Sequence, residues 1–204
     1  MHRPDDLLPA AAAAAAETAP PPARLSRAGW CWLAAYAVSR LMLLLGVTPL
    51  MSDVFLYNVY AYQWVDLGGV PYRDYKVEYP PLALWAMALP ALLDGQEMTW
   101  ELISLERRDA TLAAYVPWFR AQMALADLAA LALLALAVRR TNPAALTPAI
   151  AGYTLVTALS PHVIYDRVDA GLVALVMLWL YAMLRPGARR PAPLGWVALA
   201  YAAL

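Results

Sequence analysis

The sequence predicts an all-α protein with several membrane-crossing helices, and three observations carry that prediction. Hydrophobic residues make up 63% of the 204-residue chain, against about 45–50% in a soluble domain. The apolar residues gather in runs of up to about twenty, enough to cross a hydrocarbon core of roughly 30 Å as a helix. Most charges fall between those runs, because a charge in hydrocarbon loses its hydration.

Taken in order, residues 1–27 read as a disordered cytoplasmic tail. The alanines of 10–16 can start a helix, but Pro20, Pro21 and Pro22 end it and no apolar face needs burial. Asp5 and Asp6 stand where a secretory leader would be basic, so the tail is not read as one. The first span covers about 29–50, behind Arg24 and Arg27, which keep the amino terminus cytoplasmic. A second covers about 118–138 and closes on Arg139 and Arg140, so it runs inward. A third, about 144–160, returns outward. A fourth, about 170–184, ends at the basic stretch RPGARR, and a partial span follows at 195–204.

This topology leaves about 51–117 as one extracytoplasmic loop holding nine of the fifteen acidic residues. Its apolar piece, Pro80–Leu93, spans only about 21 Å as a helix, and is expected to lie in the interface rather than cross. Ahead of it, Val54 to Leu67 reads as an aromatic helix. Ser52 or Asp53 can cap its start, and Gly68 stands where a left-handed residue ends helices. Phe55, Tyr57, Tyr60, Tyr62 and Trp64 suit the headgroup level as anchors and packing. Between the helices runs GGVPYRDYKVEYPP, with Arg73 to Glu78 expected as an extended polar segment and Pro80-Pro81 opening the next helix.

Some chemistry is excluded at this stage. Net charge is zero, so no global field recruits nucleic acid. Cys31 is the single cysteine, which rules out an intrachain disulfide. His2 and His162 cannot make a histidine-rich metal site, and CxxC, HExxH, the Walker lysine loop and GxGxxG are absent.

Asp53 just after the first span, then GGVPY and EYPPLALW, followed by ADLAALALL and SPHVIYDRVDAGLVALVMLWLY, together resemble the amino-terminal part of the GT-C membrane glycosyltransferases. The likeness is to the polyprenyl-phosphate-mannose-dependent mannosyltransferases of glycosyltransferase family 87, and it covers about residues 28–204. That family has more spans than this chain, so the resemblance implies a fragment or a truncated relative. It implies a GT-C-like fold in an inner, cytoplasmic membrane with the active site on the extracytoplasmic side. It also implies transfer of a hexose, mannose by likeness, from a polyprenyl-phosphate sugar donor to a glycan or glycolipid acceptor, with no cofactor and no metal.

The resemblance gives Asp53 the role of catalytic base. Glu78, Arg73, Lys76, Tyr79, Arg167, Asp166 and Asp169 are the expected substrate-binding residues, with the cations near the departing phosphate. A plainer reading stays open for each. Asp53 can be only a helix cap, Glu78 a solvated charge, and the 166–169 cluster a salt-bridged turn. Arg40 and Asp127 lie inside spans at similar depths, about 12–15 Å from the outer ends, and are expected to pair. A transporter or flippase subunit remains the rival reading, with those two charges marking a polar path. A truncated membrane protein without activity is the third.

Overall fold

The computed structural model describes residues 25–46, 51–95 and 108–184. The tail as far as residue 24, the basic stretch at 185–190 and the apolar segment at 195–204 lie outside the described residues. Among the described residues the regular structure is helical, apart from one isolated bridge between Pro71 and Tyr75. Helix α1 covers Arg27–Gly46, α2 Met51–Val65, α3 Pro81–Asp94 and α4 Arg108–Thr141. A 3-10 turn at Pro143–Ala145 leads into α5, Leu146–Ala158, followed by the short α6, Pro161–Tyr165, and α7, Asp169–Met183.

Two of these helices, α1 and the Leu112–Thr141 part of α4, are long and apolar enough to cross a membrane. The expected third span is shorter than its apolar run suggested, at 13 residues in α5, or about 20 Å. Helix α4 starts ten residues before the expected 118 and continues through Pro117. Proline interrupts a helix by removing one N–H and crowding the preceding turn. Here Leu112, Tyr115, Val116 and Phe119 are all buried on one side of α4, at the i, i+3, i+4, i+7 spacing of a packed face. That packing outweighs the break.

Directions follow from the contacts. The Ser26 hydroxyl lies 2.9 Å from that of Thr147, Tyr36 packs on Tyr153, and Arg40 donates to Thr157, so α1 and α5 run side by side in the same direction. Arg120 pairs with Asp166, while Arg140 covers the Tyr181 ring at 4.1 Å, so α4 and α7 also share a direction. Tyr153 reaches Asp127 from α5, which runs opposite to α4. Arg27, Arg139 and Arg140 therefore collect at one end of the bundle. Helices α2, α3 and α6 sit at the other.

The core divides accordingly. One cluster joins α2, α3, the first half of α4, α6 and the start of α7 around Tyr57, Met87, Tyr115 and Phe119. A smaller one joins α1, α4 and α5 around Tyr36, Leu131 and Ile150. Next to it lies a polar knot. Asp127, fully buried, accepts from Arg40 Nε at 2.8 Å, Tyr36 at 2.7 Å and Tyr153 at 2.7 Å. A buried carboxylate needs such compensation to remain charged. The knot ties three helices at one point.

Helix α3 begins with Pro81 at a position where a missing N–H costs nothing and ends on Gly95 in the left-handed conformation. Pro90 lies inside it and removes the bond that the Ala86 carbonyl would accept four residues back. Gln122 Nε2 of α4 supplies that bond at 3.0 Å. The Tyr115 hydroxyl donates to the next carbonyl, that of Met87, at 2.8 Å. These bonds fix α3 against the Tyr115–Gln122 stretch of α4.

Candidate functional site

Asp53 stands in the first turn of α2. The helix buries Val54, Tyr57, Asn58 and Ala61, one face at i, i+3, i+4, i+7 spacing, and this leaves Asp53 at the rim with its side chain 32% exposed. The turn between α6 and α7 comes to the same rim. There Arg167 Nε lies 3.7 Å from Asp53 Oδ2 and 3.3 Å from Asp169 Oδ2. Asp169, in the first turn of α7, is the leading cause of a raised Arg167 pKa, so the guanidinium stays charged.

The turn is anchored by its neighbour. Asp166 is fully buried and accepts from Arg120 Nη2 at 2.6 Å, while its other oxygen meets His162 Nδ1 at 2.7 Å. One residue of the turn thus points inward and the next outward. Asp166, expected among the substrate-binding residues, faces away from Asp53 into this anchor. Its burial there is the physical reason.

Two tyrosines complete the rim. The Tyr57 and Tyr79 rings meet edge to face at 5.3 Å, and Tyr57 packs on Phe119 at 5.5 Å. The Tyr57 hydroxyl is enclosed and interacts with Tyr79 and Arg167, and the Asp53 charge lies near it. Burial foremost, then Tyr79 and the Asp53 charge, push its phenol well above the ordinary range. It is therefore a neutral donor at any physiological pH.

The charged loop serves as a clamp. Instead of running extended from Arg73, residues 70–75 fold into a closed turn, with Val70 N–H donating to Asp74 Oδ2 at 2.8 Å and Asp74 N–H donating to the Val70 carbonyl at 2.9 Å. Gly69 enters it where an added Cβ would stand 2.8 Å from the Gln63 carbonyl oxygen, too close for any side chain. Tyr72 is left-handed at φ 66°, a conformation costing about 1–2 kcal/mol outside glycine. Its N–H to Tyr75 and its hydroxyl to the Tyr79 carbonyl offset that cost. The second bond fixes the backbone of Tyr79.

Of the expected site residues, Asp53, Tyr79, Arg167 and Asp169 come together. Arg73 closes on its neighbour Asp74 at 2.7 Å and is 71% exposed, and Lys76 and Glu78 are exposed on the segment leading to Pro80. Tyr57 is an addition that the sequence reading left among the aromatic anchors. Its place one turn after Asp53, on the same helix side, is the signal that could have found it.

From this rim an apolar groove of about 610 Å³ descends between α3, α4 and α7. Tyr79, Pro80 and Asp169 form its polar mouth, and Leu82, Trp85, Leu89, Leu133, Leu175 and Leu178 line its length. The arrangement offers a carboxylate that can take a proton and a guanidinium 3.7 Å away, which also meets Asp169 in the lining of the apolar groove. The chain matches no protein-family model, no curated protein and no solved structure, so the site is read from its own geometry.

Proposed function

We propose that the protein is a polytopic membrane glycosyltransferase of GT-C type, acting at the end of the bundle that holds Asp53. It moves a hexose, mannose by the sequence resemblance, from a polyprenyl phosphate to a glycan or glycolipid acceptor on the extracytoplasmic side. The observation that carries the reading is the Asp53–Arg167–Asp169 run of charges, whose last member lines the groove between α3, α4 and α7. A lipid-linked sugar needs those three features together: an apolar channel for the chain, a cation for the phosphate, and a base beside the sugar.

In the proposed reaction Asp53 takes the proton of an acceptor hydroxyl as that oxygen attacks the anomeric carbon. The bond from that carbon to the phosphate oxygen breaks, and its electron pair stays on the phosphate. Arg167 stabilises the negative charge that develops. Inversion at the sugar follows from attack opposite the leaving group. The amino terminus of α7, with its partial positive charge, stands at the same mouth and favours an anion there.

The transport reading draws on the buried charges. Against it, Asp127 already accepts from Arg40, Tyr36 and Tyr153, so its acceptor positions are taken within the protein. A cargo would have to displace a guanidinium. The enzyme reading uses groups that stand open at a rim.

The test is transfer by the full chain from radiolabelled polyprenyl-phosphate mannose to membrane acceptors. Asp53→Asn keeps the shape and any capping bond but removes the base, and it should lower the rate about 10²- to 10⁴-fold. Equal rates for both forms would remove Asp53 from catalysis.

A further inference from the structure

A second apolar groove, of about 730 Å³, opens at the basic end of the bundle, between α1 and α4 with α5 beneath. Leu131 and Ile150 form its floor and are buried. Trp30, Leu128 and Ala132 on its sides are exposed, so the groove faces outward from the bundle. Its wall on α4 runs from Leu128 to Arg139, about 16 Å at 1.5 Å per residue. That is one leaflet of a hydrocarbon core roughly 30 Å thick. Trp30 lies near the start of α1, at the Arg139 end, where an amphipathic ring suits the headgroup level.

Among the described residues lining the groove, Arg139 is the charged one. Its neighbour Arg140 is occupied, with its guanidinium over the Tyr181 ring at 4.1 Å. Arg139 is exposed and has no ion pair among the described residues. Helices α1 and α5 contain no acidic residue, and α4 has none beyond Asp127, which Arg40 holds. Arg27 adds a further positive charge at the same end. The negative end of the α4 dipole favours a cation in its last turn, but that does not require one at the head of an apolar groove. An anion from outside the chain answers both features.

Charge also separates the occupants. A second copy lying the same way up in a membrane would bring Arg27, Arg139 and Arg140 level with their like. The apolar stretch 195–204 carries no acid to meet Arg139. A phospholipid of net negative charge brings a phosphate that a guanidinium can hold through two N–H groups and a chain one leaflet long.

We propose that the α1–α4 groove binds an anionic phospholipid of the leaflet on the basic side, with its phosphate on Arg139 and one acyl chain along Leu128 and Ala132. Basic pockets between membrane helices hold such headgroups by the same physics. The inference needs the bundle to lie in a bilayer but not the transfer reaction, since the groove is at the end opposite Asp53.

The experiment titrates the full chain in detergent with phosphatidylglycerol or phosphatidylcholine of identical acyl chains, counting bound lipid by native mass spectrometry and following Tm. Phosphatidylglycerol should bind about 10-fold or more tightly and raise Tm once its concentration exceeds its Kd. Arg139→Gln should remove that preference and leave the lipid-free Tm unchanged, because the side chain is exposed. Ala132→Phe, at another exposed position, should fill the groove and weaken both lipids. Arg140→Gln should keep most of the preference. Equal loss in the two arginine variants would mean a general attraction of the basic end and would overturn the site. So would equal affinity for the two lipids, or wild-type binding by Ala132→Phe. Glycerol phosphate binding as tightly as phosphatidylglycerol would overturn the acyl-chain assignment. A dimer that Ala132→Phe dissolves, with no lipid bound, would give the groove to a second copy.

This reading and the transferase fail separately. Lipid selectivity that depends on Arg139, with no transfer by any form, keeps the groove and removes the transferase. Transfer without lipid selectivity does the reverse.

Discussion

Asp127 accepts from Arg40, Tyr36 and Tyr153 at 2.7–2.8 Å, and Arg40 also stacks on the Tyr36 ring at 4.2 Å. Removing one member of such a knot leaves the other buried and unpaired, which costs about 3–5 kcal/mol. Asp127→Ala should therefore abolish most folded yield, measured by size-exclusion chromatography in detergent. Arg40→Met combined with Asp127→Leu should recover much of it, and failure to do so would mean that the two residues are not coupled. A second residue-level prediction concerns the loop turn. Arg73, and after it the Val70 N–H, hold Asp74 near a pKa of about 2, below the usual carboxylate value. A depressed acid supports the fold above its ordinary pKa, and that support disappears as pH falls through the folded value. The protection factor of the Val70 amide, taken relative to intrinsic exchange at each pH, should hold down to about pH 4 and fall between about pH 4 and 2. Unchanged protection at pH 2 would show that the carboxylate does not hold the turn.

Among the elements, α3 is the one that depends most on a neighbour. Pro90 takes away an internal bond, and Gln122 replaces it at the Ala86 carbonyl. Gln122→Leu should destabilise the protein by about 1 kcal/mol, the cost of losing a hydrogen bond to a part-buried carbonyl. Restoring the internal bond with Pro90→Ala should make the same Gln122 change less costly, a coupling that a thermal-unfolding double-mutant cycle measures. Equal costs in both backgrounds would separate the two residues. The ends of this helix were legible in the sequence, because Pro80-Pro81 and Gly95 act through backbone geometry alone. The early start of α4 was not, since Pro117 locally argues for a break. Only the packing of Tyr115 and Phe119 against α2 and α3 reverses that argument.

For the whole molecule, the helices sort their ends so that Arg27, Arg139 and Arg140 lie opposite Asp53, Arg167 and the charged loop. Such an arrangement suits a protein that works at one face of a membrane, as proposed. The sequence by itself determined the helical class, the two long apolar runs and the pairing of Arg40 with Asp127. All of these rest on composition and on distance along a helix. The tertiary structure alone decided that Asp166 turns inward while Arg167 turns outward, that Tyr57 joins Asp53, and that a groove opens between α3, α4 and α7. The reason is physical. In helices apolar on nearly every side, hydrophobic pattern no longer says which face meets which neighbour, and that choice falls to the few polar side chains that must find partners.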